Sequence, residues 1–240
     1  MPSLPNVLSG GCNHDNTREV YTGGCVMGLK MEKHTTRPAL QWCTLFIGIP
    51  LLFYLTGDFP RRSILKETIS LLTLMAFFQL LGQLYTTRCN TRLVRDAGAP
   101  KLVRVHKIAG YIGIALILVH PLLIVVPRYF EAGIGPGEAF LTMVTTTTPG
   151  VLTGLASWGL MLALAVTSLF QKRIPLTYLS WRRLHASLSI AFIPAASWHV
   201  ANLGRHASPA MTIMIVLMAA GGMLLTIKAT VARRLLRVKG

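Results

Sequence analysis

The chain has 240 residues, 52% of them hydrophobic and only 13% charged. A soluble domain carries about 25% charged residues, so the composition argues against a water-soluble globule. The formal charge of +16 would suit nucleic acid, but its distribution along the chain argues against that partner as well.

Residues 1–37 are polar and read as a cytoplasmic N-terminal extension. No cleavable signal sequence is expected in them, and the apolar segment from Pro38 is expected to act as an uncleaved signal anchor. Cys12 and Cys25 each follow a Gly-Gly pair, with His14 close by. Two readings stand for them: a metal or cluster site, or reduced cytosolic thiols. The chain has no Cys-x-x-Cys-His motif, so a covalently attached haem is not expected.

Uncharged windows follow at 38–57, 68–87, 108–127, 139–171, 184–204 and 207–227. A membrane-spanning helix needs ~20 mostly apolar residues. The fourth window is too long for one helix, and Pro149-Gly150 splits it. The span then begins near Val151, and 139–148 falls to an outer loop or interfacial segment. The expected fold is an all-α bundle of six transmembrane helices over 38–237, with 238–240 as a short tail. Lys228, Arg233, Arg234 and Arg237 suit a last helix that continues beyond the membrane.

Charge orients this bundle. The N-terminal stretch, the 88–107 and 172–183 loops and the C-terminal stretch hold nineteen of the 24 Lys and Arg residues. The other side holds Arg61, Arg62, Lys66, Arg128 and Arg205, while acidic residues divide evenly. By the positive-inside rule both termini face the cytoplasm. A smaller share of the basic charge is left for anionic membrane lipid, cofactor carboxylates or an acidic partner.

The most informative residues are four histidines. His106 and His120 are fourteen residues apart, and so are His185 and His199. Fourteen steps of a helix return a side chain to within about 40° of its starting face, ~21 Å further along the axis. The third and fifth helices both leave the basic side, so they run parallel. His106 then shares its depth with His185 near the inner surface, and His120 with His199 near the outer one. Intramembrane ionisable groups default to a functional reading. Two opposed imidazoles complete the coordination of a haem iron and favour electron passage over oxygen binding. The pattern therefore points to two bis-histidine b-type haems, with these four histidines as iron ligands.

The neighbours of the quartet fit this reading. Gly110 and Gly113 lie between His106 and His120, and Ser189, Phe192 and Ala196 between His185 and His199. Small residues there leave room for a flat porphyrin, although close helix–helix packing also selects them. Arg104, Lys107, Arg182 and Arg183 flank the inner pair; Arg128, Arg205 and His206 lie near the outer pair. These cations suit haem propionates, and the inner set also serves topology.

With these residues in place, the chain resembles the ferric-reductase-like transmembrane domain family, which includes ferric reductases, NADPH oxidases and bacterial MsrQ-type subunits. The resemblance rests on the histidine quartet, on Gly154-Leu155-Ala156-Ser157-Trp158 with the following Leu162 to Ser168 stretch, and on Trp181-Arg182-Arg183-Leu184-His185. It implies b haems between the third and fifth helices, with the four histidines as axial ligands. Ferric reductases and NADPH oxidases carry a flavin and nicotinamide module after the sixth helix; no such fingerprint occurs in this chain. MsrQ-type subunits usually lack a counterpart of His106, whose presence favours a two-haem wire.

The expected function is transmembrane electron transfer by a subunit with no catalytic flavin domain of its own, working within a complex in a bacterial inner membrane. A cytosolic flavoprotein or iron–sulfur protein would dock on the basic face as donor. A periplasmic metalloprotein, ferric iron or oxygen would accept. The alternative is a quinone-reactive cytochrome b subunit of a respiratory or MsrPQ-like reductase complex, although no residues mark a quinone pocket.

Overall fold

The computed structural model describes residues 40–60, 62–87 and 90–238. The polar stretch with Cys12, His14 and Cys25 lies outside the described residues. Among the described residues the chain is helical throughout, with no strand. The helices are α1 (Leu40–Thr56), α2 (Ile64–Tyr85), α3 (Thr91–Ala97), α4 (Ala99–Ala132), α5 (Pro136–Thr145), α6 (Pro149–Leu169), α7 (Tyr178–Leu203) and α8 (Pro209–Val238).

Local chemistry sets the helix boundaries. Ser63, Asn90 and Thr177 cap α2, α3 and α7, their side-chain oxygens accepting from the N–H groups of Lys66, Leu93 and Ser180. Such caps satisfy donors that a helix start leaves free. Pro100, Pro136 and Pro149 stand in the first turns of α4, α5 and α6, where a missing N–H costs nothing. Gly98 and Gly133 bracket α4 at φ 78° and 65°, a region that side chains avoid. Within α1, a π-helical turn at Thr44–Gly48 precedes Pro50, whose ring and missing N–H disturb the regular ladder.

Among the described residues four helices are long and apolar enough to cross a membrane: α2, α4, α6 and the 209–228 part of α8. Helix α1 is apolar but shorter. Helix α7 has 26 residues, but serines, arginines, histidines and an asparagine lower its apolar character. Helix α4 begins at Ala99, nine residues ahead of the uncharged window, because its cations sit on its first turns. At 34 residues it is about 51 Å long, well beyond the ~30 Å hydrocarbon core. Its start places His106 inside a helix. Helix α2 likewise starts before its window, which puts Glu67 in its first turn. The segment read from sequence as a loop or interfacial stretch contains the short helix α5.

The helices form a ring. Helix α2 packs on α4, α4 on α6, α6 on α7, α7 on α8, and α8 returns to α2, with α1 lying against α2 and α8. The core is built from Phe77, Phe78, Leu81, Met161, Phe192, Ile193, Met211 and Ile215, among others. In lipid the hydrophobic effect between helices is weak, so packing and interhelical hydrogen bonds hold them. Tyr85 Oη donates to Met218 O at 2.7 Å, Trp158 Nε1 to Leu118 O at 3.1 Å, and Gln79 Nε2 to Ala109 O at 2.7 Å. Each such bond contributes on average about 0.6 kcal/mol. The two histidine-bearing helices, α4 and α7, are not a closely packed pair. Helix α4 leans most on α2 and α7 most on α6, which touches both.

Candidate functional site

Between α4 and α7 the four histidines face one another in two pairs. The rings of His106 and His185 have centroids 6.4 Å apart and planes inclined at 69°. Those of His120 and His199 are also 6.4 Å apart, inclined at 77°. The first pair lies toward the end that carries α3 and the 170–177 loop, the second toward the end that carries α5. Among the described residues no cluster of three or more His, Cys, Asp or Glu side chains stands ready for a bare metal ion. The candidate donor sets are these two pairs.

Three of the four imidazoles are anchored through Nδ1. His199 Nδ1 lies 2.8 Å from Gly150 O. A carbonyl only accepts, so this Nδ1 carries the proton and Nε2 is left with its lone pair. Thr86 Oγ1 lies 3.4 Å from His106 Nδ1, and Ser168 Oγ lies 3.3 Å from His185 Nδ1. His120 Nδ1 is buried without a hydrogen-bond partner. His185 also stacks on Trp181, at 5.3 Å and 28°, and Trp181 Nε1 donates to Thr167 O at 2.8 Å. Helix α6 thus positions both histidines of α7, one through a serine and one through a backbone carbonyl.

A partly open pocket adjoins the His106–His185 pair. Its walls come from Gln83 on α2, Gly110 and Ile114 on α4, Met161 and Leu164 on α6, and Ser189 and Phe192 on α7. The two glycines singled out on α4 differ. A Cβ at Gly110 would meet open space, whereas one at Gly113 would sit 2.1 Å from Gln79 Oε1 and 2.8 Å from a Leu80 methyl. Gly110 therefore widens the cavity, while Gly113 serves the close packing of α4 on α2.

The cations are distributed unevenly. Arg104 and Arg183 are exposed. Lys107 lines an open surface groove with Lys172, Arg173 and Ser168, and Arg182 lies over the Tyr178 ring at 5.6 Å. Arg205 Nη2 donates to Pro60 O at 2.7 Å and is turned toward the α1–α2 connection. His206 is buried there, 4.2 Å from the Tyr54 ring and 4.9 Å from Phe59. Its Nε2 approaches Glu67 Oε2 at 3.0 Å without hydrogen-bond alignment. Burial pushes the His206 imidazole below its usual pKa, and the Glu67 carboxylate opposes that push.

Sequence reasoning missed several supporting residues. Gly154 gives the His199 ring its space: a Cβ there would lie 2.5 Å from Nδ1 and 2.6 Å from Cε1. Gly150 and Gly154 stand four apart on one helix face, a small-residue spacing that could have flagged a close approach. Thr86 and Gln83 carried no comparable signal, because a single polar residue in an apolar segment has no period to read; Ser168 entered only as the end of a stretch that carries the family resemblance.

With this geometry in view, comparison with known proteins is direct. Residues 71–196 match the family described as ferric reductase like transmembrane component, a range that contains all four helical segments lining the cavity. An uncharacterised protein from Archaeoglobus fulgidus is 40% identical over 161 residues, covering 67% of this chain and 87% of that relative. No solved structure matches the chain.

Proposed function

We propose that this chain, which belongs to the ferric reductase like transmembrane component family, is a membrane electron-transfer subunit that holds two b-type haems. His106 and His185 would ligate one, and His120 and His199 the other. Bound there, each haem supplies a one-electron iron couple.

The observation that carries this reading is the equal 6.4 Å separation within both pairs. Two metal–imidazole bonds of ~2 Å, with roughly 1 Å more from each nitrogen to its ring centre, put two opposed rings about 6 Å apart. The Nδ1 anchors supply the second support. A ligating histidine engages its other ring nitrogen with a fixed partner, which holds the ring orientation, and three of the four do so here. The open space that a Cβ at Gly110 would meet and the loose relation between α4 and α7 support a ring placed between them.

In this reading α1 and α7 join the four long apolar helices to make six spans. Both termini face the cytoplasm, and the protein lies in the cytoplasmic membrane. The basic groove of Lys107, Lys172 and Arg173 reaches Ser168, which touches His185. A cytosolic flavoprotein or iron–sulfur donor docks on that face by charge complementarity. The acceptor, a metalloprotein, ferric iron or oxygen, is met at the opposite face. The chain's own residues orient the ligands, exclude water and tune the iron potential.

The test is haem and iron quantification on the purified full chain, with reduced-minus-oxidised spectra. Two b haems per chain are expected, falling to one in His106→Leu and in His120→Leu. A chain that stays colourless after ample haem supply overturns the proposal.

A further inference from the structure

Of the buried polar atoms left without a hydrogen-bond partner among the described residues, one belongs to a residue on the wall of the cavity beside His106 and His185: Gln83 Nε2. Gln83 is 9% exposed. It sits near the end of α2, one turn before Thr86. The Thr86 hydroxyl lies 3.4 Å from Gln83 Oε1, 3.3 Å from Gln83 O and 3.4 Å from His106 Nδ1. The amide oxygen and the histidine are therefore tied through one hydroxyl, and the amide nitrogen is the free end of the chain of contacts.

A buried amide without an acceptor is destabilising, and leucine would fill the same volume without that penalty. Its place on this wall is explained by an acceptor that the polypeptide does not supply. Gln79, one turn earlier on the same helix, differs in its donor: its Nε2 has found Ala109 O on α4, and its unpartnered Oε1 lies against Gly113 and not on the pocket wall.

Resting on the haem reading above, we propose that Gln83 is a cofactor-positioning residue. Its Nε2 would donate a hydrogen bond to a propionate carboxylate of the haem that His106 and His185 would hold, and Thr86 ties the Gln83 amide to His106. The chemical class follows from the donor: the propionates are the strong hydrogen-bond acceptors that a b-type porphyrin carries at its rim. The apolar walls of Leu80, Leu84, Met161 and Leu164 take the rest of the ring.

The test uses the full-length holoprotein with Gln83→Leu and Gln83→Glu, read by haem content, redox titration and resonance Raman of the propionate bending modes. In Gln83→Leu both haems are retained, one of two titration waves shifts to lower potential, and one propionate mode moves. The haem-free Gln83→Leu protein melts no lower than haem-free wild type, which a purely structural role for the amide does not predict. In Gln83→Glu the shifted wave becomes pH-dependent, because a carboxyl donates only when protonated. Two haems with unchanged potentials and Raman bands in Gln83→Leu overturn this proposal and leave the haem reading intact. Wild-type protein without haem overturns the haem reading, and this proposal with it.

Discussion

His199 Nδ1 donates to the carbonyl oxygen of Gly150 at 2.8 Å, a contact between α7 and α6 that leaves the other ring nitrogen with its lone pair. Gly154, one turn along α6, leaves the space in which that imidazole sits. Gly154→Val should drive a side chain into the ring and remove the haem proposed for this pair, halving haem per chain. Gly159→Ala, on the same helix where a Cβ meets open space, should leave haem content unchanged. Pyridine haemochrome assay of both variants checks this.

The hydroxyl partners of the other pair give a second expectation. Outer-shell partners of metal ligands are worth 10–100-fold in affinity. Ser168→Ala and Thr86→Val should each speed haem loss to apomyoglobin by about tenfold, from one of the two sites only. Biphasic loss in these variants, against slow loss in wild type, is the expected trace.

Gly110 and Gly113 should separate cofactor space from helix packing. Gly110→Leu projects into the cavity and should lower haem content while the haem-free protein keeps its melting temperature. Gly113→Leu meets Gln79 and Leu80, and overpacking of that kind costs roughly 1–3 kcal/mol. It should lower the melting temperature with or without haem. Thermal unfolding in detergent, on both forms, measures the difference.

His206 makes stability pH-dependent. Its imidazole is held below the usual pKa by burial, with Glu67 opposing and Arg62 and Arg205 adding to the depression; Tyr54 and Phe59 close the site. A histidine whose folded pKa is depressed binds its proton more readily in the unfolded chain. Its contribution is therefore fully present above the unfolded value near 6.5 and is lost as pH falls below it. Melting temperature should drop from pH 7 to pH 5, and His206→Gln should flatten that slope. An unchanged slope in His206→Gln would assign the acid sensitivity to other groups.

Much of the arrangement was legible in the chain. The fourteen-residue spacing named the histidines, and parallel helices predicted which would share a depth; the ring distances place those same residues opposite one another. The helix start at Pro149 follows from local backbone chemistry that acts within one turn, whereas the short helix from Pro136 lies in a stretch that reads as an outer connection. The early start of α4 was hidden because its first turns carry Lys101, Arg104 and Lys107. An uncharged window marks the apolar part of a helix and not its ends. The reading of Gly113 as cofactor space was equally beyond sequence, since a glycine looks the same whether a ring or a neighbouring helix fills the room it leaves.

By itself the amino-acid order determined that this is a helical membrane chain with four spaced imidazoles, because hydropathy and helical period are properties of one segment at a time. Only the tertiary structure decided which hydroxyl or carbonyl holds each ring, that Gly154 opens space for His199, and that Gln83 is left with an unspent donor on the cavity wall. Those facts depend on how α2 and α6 pack beside the histidine helices, and in lipid that packing is set by shape and hydrogen bonding across helices, which no single segment encodes.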